Sequence, residues 1–301
     1  MGQRDSRYPR RYIRLCRLHP VAIAPVSGNL FATEYGPGPS TGESLLYDVN
    51  LTTQNTTSAL ISETGQLPAI NASGTLLYIS ASGITGTVQI FNPVGLQLLN
   101  VINVGGSPRQ LVFTPDGSHA YVDNFSGTAA ASGYLSYVDL NTATVKSTIT
   151  NPAFNNPLYL AISPNGSELY ILQLDSFNSK GAQKKGILFF NTKTKSVTKE
   201  VALFNSGANT ANSTTYFGLP ALTLDGKYLY VPIFVSVEAP AGGPVTGAIG
   251  NTVAVISTAT GNIVDTITVG GAPWQVAIGD NQRAYVSNYE GGTVSVIDIT
   301  E

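Results

Sequence analysis

Two stretches of this chain are near-copies of each other, and a chain built from such copies has few folds open to it. Residues 107–150 read SPRQLVFTPDGSHAYVDNFSGTAAASGYLSYVDLNTATVKSTIT, and residues 272–300 read APWQVAIGDNQRAYVSNYEGGTVSVIDIT. Each has a proline, a short apolar run, a polar turn, a Tyr-Val-x-Asn stretch, a glycine-rich loop and an alternating stretch. Apolar and β-prone residues dominate HAYVDN and RAYVSN, which is a strand signal. In 293–299, Val294, Val296 and Asp298 share one face of a strand, and Thr293, Ser295, Ile297 and Ile299 share the other. Apolar side chains on both faces suit a sheet that is covered on both sides. The turn Thr114-Pro115-Asp116-Gly117 has its proline, aspartate and glycine in tight-turn order. The unit therefore predicts four short antiparallel strands, at 110–114, 119–124, 134–139 and 144–149.

One such sheet cannot bury both of its faces alone. Copies must stack, and four-stranded units stacked around an axis make an all-β propeller with antiparallel blades. The aromatic of the second strand recurs as Phe31, Tyr78, Tyr121, Tyr170, Tyr230 and Tyr285. That spacing predicts six blades, with seven as the alternative. Outer strands are expected at 56–62, 97–103, 144–149, 196–203 and 262–268. The last blade has none after 293–299, whereas RYIRLCRL at 11–18 is left over at the other end. The expectation is a basic arm over 1–10 and one propeller domain over 11–301, closed by pairing 11–18 with 293–299. A disordered basic arm is the other reading of these first residues.

The unit resembles the YVTN repeat of β-propellers found in microbial surface-layer and secreted proteins. In one copy the resemblance is carried by Pro108, Pro115-Asp116-Gly117, Tyr121-Val122-Asp123-Asn124 and Asp139 with the Leu-Asn-Thr-Ala-Thr that follows it. In the last copy it is carried by Pro273, Tyr285-Val286-Ser287-Asn288 and 294–298. The resemblance implies a propeller, and specifies fold far better than activity. More distantly it implies kinship with lactonase-like propellers, which hold calcium through inward carboxylates and amides.

Charged residues make up 11% of the chain, well under the ~25% usual for globular domains. The formal net charge of −2 does not favour nucleic acid as a partner. Cys16 is the single cysteine, so no intrachain disulfide forms and stability must come from packing and ring closure. No apolar run approaches the ~18 residues of a membrane helix. Arg4, Arg7, Arg10, Arg11, Arg14 and Arg17 crowd the first residues and break up the apolar core of roughly 7–15 residues that an export signal needs. The composition nonetheless suits an extracytoplasmic protein, and the expectation is a monomer, secreted, periplasmic or at the cell surface.

Chain length beyond the minimal repeat accumulates on one side. The long connections are expected at 35–44, 125–133, 174–185 and 234–250 between second and third strands, and at 150–156 and 204–216 between blades. In a propeller both sets lie on one face, and loops held by a rigid scaffold are where binding residues concentrate. Two rings are expected at the channel mouth there. One starts each first strand: His19, Gln66, Arg109, Leu158, Gly218 and Trp274. The other ends each second strand: Glu34, Ala81, Asn124, Gln173, Ile233 and Asn288. Glu34, Arg109, Asn124, Trp274 and Asn288 are the candidate ligand-binding residues, joining an aromatic plane, a fork-shaped cation and amides. Trp274 also reads as core filler between blades, and Asn124 and Asn288 as strand-end turn formers.

Catalytic groups are sparse. The two histidines are His19 and His119, with His119 expected in solvent on the short-turn face, and no His/Cys spacing suits zinc. No catalytic residue, metal or cofactor is expected. The leading expectation is a non-enzymatic propeller that binds a protein or carbohydrate partner, or forms part of a surface layer. The alternative is a lactonase-like hydrolase with a metal in the channel, for which Glu34, Asn124 and Asn288 would be the ligands.

Overall fold

A computed structural model describes residues 21–34, 44–125, 133–173, 185–204, 213–237, 247–279 and 282–299, and these form strands and turns without a helix. The strands fall into six antiparallel sheets, the blades of a six-bladed β-propeller. Blade 1 is β1 (Ala22–Ile23), β2 (Leu30–Glu34), β3 (Ser44–Val49) and β4 (Thr56–Ile61). Blade 2 is β5 (Thr64–Ile70), β6 (Leu77–Ser82), β7 (Thr87–Asn92) and β8 (Gln97–Asn103). Blade 3 is β9 (Ser107–Phe113), β10 (His119–Phe125), β11 (Tyr134–Asp139) and β12 (Thr144–Ile149). Blade 4 is β13 (Pro157–Ile162), β14 (Glu168–Gln173), β15 (Lys185–Asn191) and β16 (Ser196–Phe204). Blade 5 has a split inner strand, β17 (Ser213–Phe217) and β18 (Ala221–Leu222), then β19 (Tyr228–Val237), β20 (Gly247–Ser257) and β21 (Ile263–Thr268). Blade 6 shows β22 (Pro273–Ile278), β23 (Arg283–Asn288) and β24 (Thr293–Asp298).

Among the described residues β24 is paired on one side only, and its Val294 and Val296 are exposed. The strand expected to cover that edge, 11–18, lies outside the described residues, as do the arm at 1–10 and His19.

The turns between first and second strands repeat one piece of chemistry. Thr114 Oγ1 donates to Asp116 Oδ1 at 2.6 Å, Ser163 Oγ to Asn165 Oδ1 at 2.8 Å, and Thr223 Oγ1 to Asp225 Oδ1 at 2.7 Å. Each turn closes on a glycine in the left-handed region: Gly117 at φ 68°, Gly166 at 72° and Gly226 at 75°. These turns hold the ends of the strands on the short-turn face.

The core is a series of buried clusters between consecutive blades. Phe31 and Leu46 meet Leu77 and Phe91 between blades 1 and 2. Tyr78 and Val88 meet Leu111 and Val122 between blades 2 and 3, and Tyr121 and Leu135 meet Ile171 and Phe190 between blades 3 and 4. Tyr170 and Phe189 meet Leu229 and Ala254 between blades 4 and 5, and Tyr230 and Val253 meet Val276 and Val286 between blades 5 and 6. Phe31, Tyr78, Tyr121, Tyr170 and Tyr230, five of the six aromatic anchors, are thus inter-blade filler, which is why both faces of these blades are apolar. Leu67 of blade 2 joins the same buried cluster as Leu158 of blade 4 and Leu219 of blade 5. These leucines all stand on inner strands or their break, so the packing reaches across the propeller axis.

Two connections are shorter than expected. The strand pairs Val235↔Ile249, Ser236↔Ala248 and Val237↔Gly247 take up both ends of 234–250, so blade 5 extends as a long hairpin beyond its neighbours. β17 likewise takes up 213–216 at the end of the connection expected over 204–216.

Candidate functional site

In blades 3 to 6 the register sets the members of the two expected rings at equivalent places. Asn124 pairs with Pro108, Gln173 with Pro157, Ile233 with Phe217 and Asn288 with Pro273, and Arg109, Leu158, Gly218 and Trp274 each follow those partners. Equivalent places carry different jobs, however. Asn124 and Asn288 are buried inside their blades. Asn124 Nδ2 donates to Ser136 Oγ at 3.0 Å, and Ser136 Oγ donates on to Val104 O at 3.2 Å. Asn288 Nδ2 donates to Ser295 Oγ at 2.9 Å, and Ser295 Oγ accepts from Gly270 N at 3.2 Å. In both copies the asparagine anchors the Val-Gly-Gly connection that enters the blade (Val104-Gly105-Gly106, Val269-Gly270-Gly271). A Cβ on Gly270 would lie 2.5 Å from Asn288 Nδ2, so the glycine is what lets the chain pass so close. Ala81, Gln173 and Ile233 of the same ring are buried too, which leaves Glu34 as its half-buried member.

The x of Tyr-Val-x-Asn has a role that the sequence reading missed. Two residues of the first strand oppose one of the second at this point, a β-bulge that leaves an N–H to be satisfied. Ser287 Oγ accepts it from Gln275 N at 3.2 Å in blade 6, and Asp123 Oδ1 accepts it from Gln110 N at 2.6 Å in blade 3. A small acceptor at this place in both copies was the signal available.

Of the remaining candidates, Glu34 ends β2 half-buried and accepts a 2.5 Å hydrogen bond from the Tyr47 hydroxyl, which pushes the tyrosine's pKa up to about 12. Arg109 is half-buried, its guanidinium 4.8 Å from the centre of the Phe125 ring. Trp274 is half-buried and lies within a row of rings. Tyr216 stacks on Phe234 (5.6 Å, 16°), Phe234 meets Trp274 (5.4 Å, 38°), and Trp274 meets Tyr289 (6.3 Å, 42°). Tyr289 is 70% exposed. Glu34, Arg109 and Trp274 stand on blades 1, 3 and 6, so the structure sets them around the face and not in one cluster.

Trp274 is held by a device peculiar to blade 5. Between β17 and β18 the chain leaves its own sheet. Leu219 N donates to Trp274 O at 2.8 Å and Val276 N donates to Leu219 O at 3.1 Å, a parallel bridge to the inner strand of blade 6. A Cβ on Gly218 would lie 2.1 Å from Trp274 O, so only glycine fits beside this contact. The tryptophan is thus partly core filler, packed on the cluster between blades 4 and 5, and partly a presented ring.

On the short-turn face His119 is not free in solvent. Its ring stacks on Tyr137 at 4.9 Å and Nδ1 meets Ser118 Oγ at 2.6 Å, while Nε2 lies 3.9 Å from Asp139 Oδ2. The same Ser118 hydroxyl is bonded to Asp116 at 2.7 Å, and Asp139 accepts from Asn141 N and Thr142 N in its turn. These groups serve turn structure: the Ser118 hydroxyl donates to Asp116, and at 3.9 Å His119 Nε2 is beyond hydrogen-bond reach of Asp139, so no nucleophile–base–acid relay is assembled here. Among the described residues no three His, Cys, Asp or Glu side chains converge as a metal site, and no helix is long and apolar enough to cross a membrane.

Fold and geometry therefore define a six-bladed β-propeller with one elaborated face. Comparison with known proteins supports the class and adds no activity. No protein-family model matches the chain, and no curated protein matches it in sequence. Among solved structures 1086 chains are similar, a breadth that identifies a widely used fold and not one function. One of them is hydrazine synthase from Kuenenia stuttgartiensis, a propeller-type protein, at a TM-score of 0.70 and 19% identity over 93% of this chain and 76% of that one.

Proposed function

We propose that this protein is a non-enzymatic binding propeller of the YVTN type that works outside the cytoplasm and holds a protein or glycan partner on its long-connection face. The observation that carries the reading is the aromatic row ending in Trp274 and Tyr289. Propeller stability needs rings between the blades, and Phe234 serves that need. It does not need a tyrosine left 70% exposed at the end of the row. A flat ring presented beside a half-buried tryptophan supplies contact area at small entropic cost, the usual make-up of a binding hot spot. The row lies at the ends of β17, β19, β22 and β23 from which the long connections leave.

The test is binding of the full chain to an immobilised glycan panel and to extracytoplasmic proteins of its source, wild type against Trp274→Ala and Tyr289→Ala. Tyr289→Ala should weaken the specific interaction by about tenfold or more with an unchanged circular dichroism spectrum, and Trp274→Ala by at least as much. Interaction unaffected by Tyr289→Ala and Trp274→Ala would reject the reading.

A further inference from the structure

The surroundings of the exposed ring select among ligands. Tyr289 opens the turn 289–292 that joins β23 to β24, and its N–H donates to Ala272 O at 2.9 Å, so the backbone beneath the ring is fixed. The ring lies 6.3 Å from that of Trp274, which the bridge from Leu219 N holds in place. Glu290, Gly291, Gly292 and Thr293 follow it and are all exposed. A Cβ on Gly292 would meet nothing within 4 Å, so the turn is open on that side. A Cβ on Gly271 would lie 3.7 Å from Glu290 Oε2, which puts the carboxylate at the end of β22 that carries Trp274.

Charge here has one sign. The connections that flank the strands of the row in the chain read NSGANTAN at 205–212, EAPAGGPVT at 238–246 and YEGG at 289–292. Glu238 and Glu290 are their only charged residues, and no lysine or arginine occurs in them or in β17, β19 and β22. Two carboxylates without a cation disfavour an acidic ligand. Protein interfaces surround such rings with further apolar side chains and arginine. Ser287, two glycines and Thr293 flank this one instead.

We propose that Tyr289 and Trp274 form a platform for a neutral glycan, with Glu290 at its margin. This rests on the reading that ligands dock on the long-connection face, and adds the chemical class. A pyranose carries C–H groups on its faces and hydroxyls around its edge. The weakly positive C–H groups suit the negative face of an aromatic ring. The edge hydroxyls are donors, and the Glu290 carboxylate is an acceptor-only group that takes them in charge-assisted hydrogen bonds. Both rings stand on fixed backbone, so little order is lost on binding.

The experiment is titration of the full chain with pentasaccharide probes, followed by calorimetry and by the emission of Trp274, its only tryptophan. Cellopentaose, chitopentaose and galactopentaose are the neutral probes, pentagalacturonate the acidic one and the glucosamine pentamer the cationic one. At least one neutral probe should bind saturably, shift the emission to shorter wavelength and exceed both charged probes by about tenfold. Its affinity should stay within about twofold between ~0.05 M and ~0.5 M salt, as no ion pair forms. Tyr289→Ala should weaken it about tenfold or more and Tyr289→Phe by less than about threefold, because the ring face makes the contact. Glu290→Gln should weaken it a few-fold and narrow the gap to pentagalacturonate. A charged probe preferred over all neutral ones, neutral binding that ignores Tyr289→Ala, or a loss in Tyr289→Phe as large as in Tyr289→Ala would each overturn the proposal. No binding of any neutral probe, with capture of an extracytoplasmic protein still lost in Tyr289→Ala, would overturn it and leave the broader reading standing.

Discussion

Gly218→Val is expected to destabilise the protein by about 3 kcal/mol and to change the fluorescence of its only tryptophan. The cause is distance. The added Cβ would lie 2.1 Å from Trp274 O on the inner strand of blade 6 and 2.9 Å from Pro232 Cβ on the second strand of blade 5. Flexible side chains could yield; a backbone carbonyl held by Leu219 N and a proline ring cannot move without parting blades 5 and 6. The Gly218 N–H is itself bonded to Pro232 O at 2.9 Å, so the segment cannot swing away without losing that bond. Thermal unfolding measures the first effect, and tryptophan emission, shifted to longer wavelength as the ring becomes wetter, reports the second. Unchanged melting and emission would mean that the inter-blade bridge does not position Trp274.

Leu158→Ala is expected to cost about 2–5 kcal/mol, the range for truncating a buried leucine that its surroundings cannot refill. Leu158 is 3% exposed and packs in the cluster that includes Leu67 and Leu219 from other inner strands. The result separates two kinds of propeller. With the axis packed by side chains, removing one leaves a cavity. With an open, solvent-lined channel like that needed by a hydrolytic metal centre, the same change at the wall would fall within about 0.5 kcal/mol. Chemical denaturation gives the difference directly, and a near-neutral result would revive the alternative of a channel-centred enzyme.

The blades were legible in the sequence because strand order, turn chemistry and the inter-blade aromatics are local and repeat. Phe31, Tyr78, Tyr121, Tyr170, Tyr230 and Tyr285 each mark a second strand, and the Asp and Gly of 114–117 and 223–226 each close a tight turn. The site was legible only in part. The equivalence of Arg109 and Trp274 could be counted along the repeat, but whether Asn124 and Asn288 face a ligand or the blade depends on the approach of Val-Gly-Gly connections, which a strand pattern does not reveal. The extension of β19 and β20 was hidden because glycine and proline in 239–250 read as loop, whereas pairing with a long neighbour overrides that preference. An aromatic follows Tyr-Val-x-Asn in both copies, Phe125 and Tyr289, but nothing in that pattern says that the second ring is left exposed.

Hydrogen–deuterium exchange on the full chain, alone and with the glycan or protein that the binding screen selects, tests most directly whether the elaborated face is the working one. Slowed exchange is expected in 213–218, 272–276 and 287–293, around the row from Tyr216 to Tyr289, with the turns at 114–118, 163–167 and 223–227 unchanged. Protection confined to those turns, and absent around Trp274, would place the partner on the short-turn face and contradict the assignment.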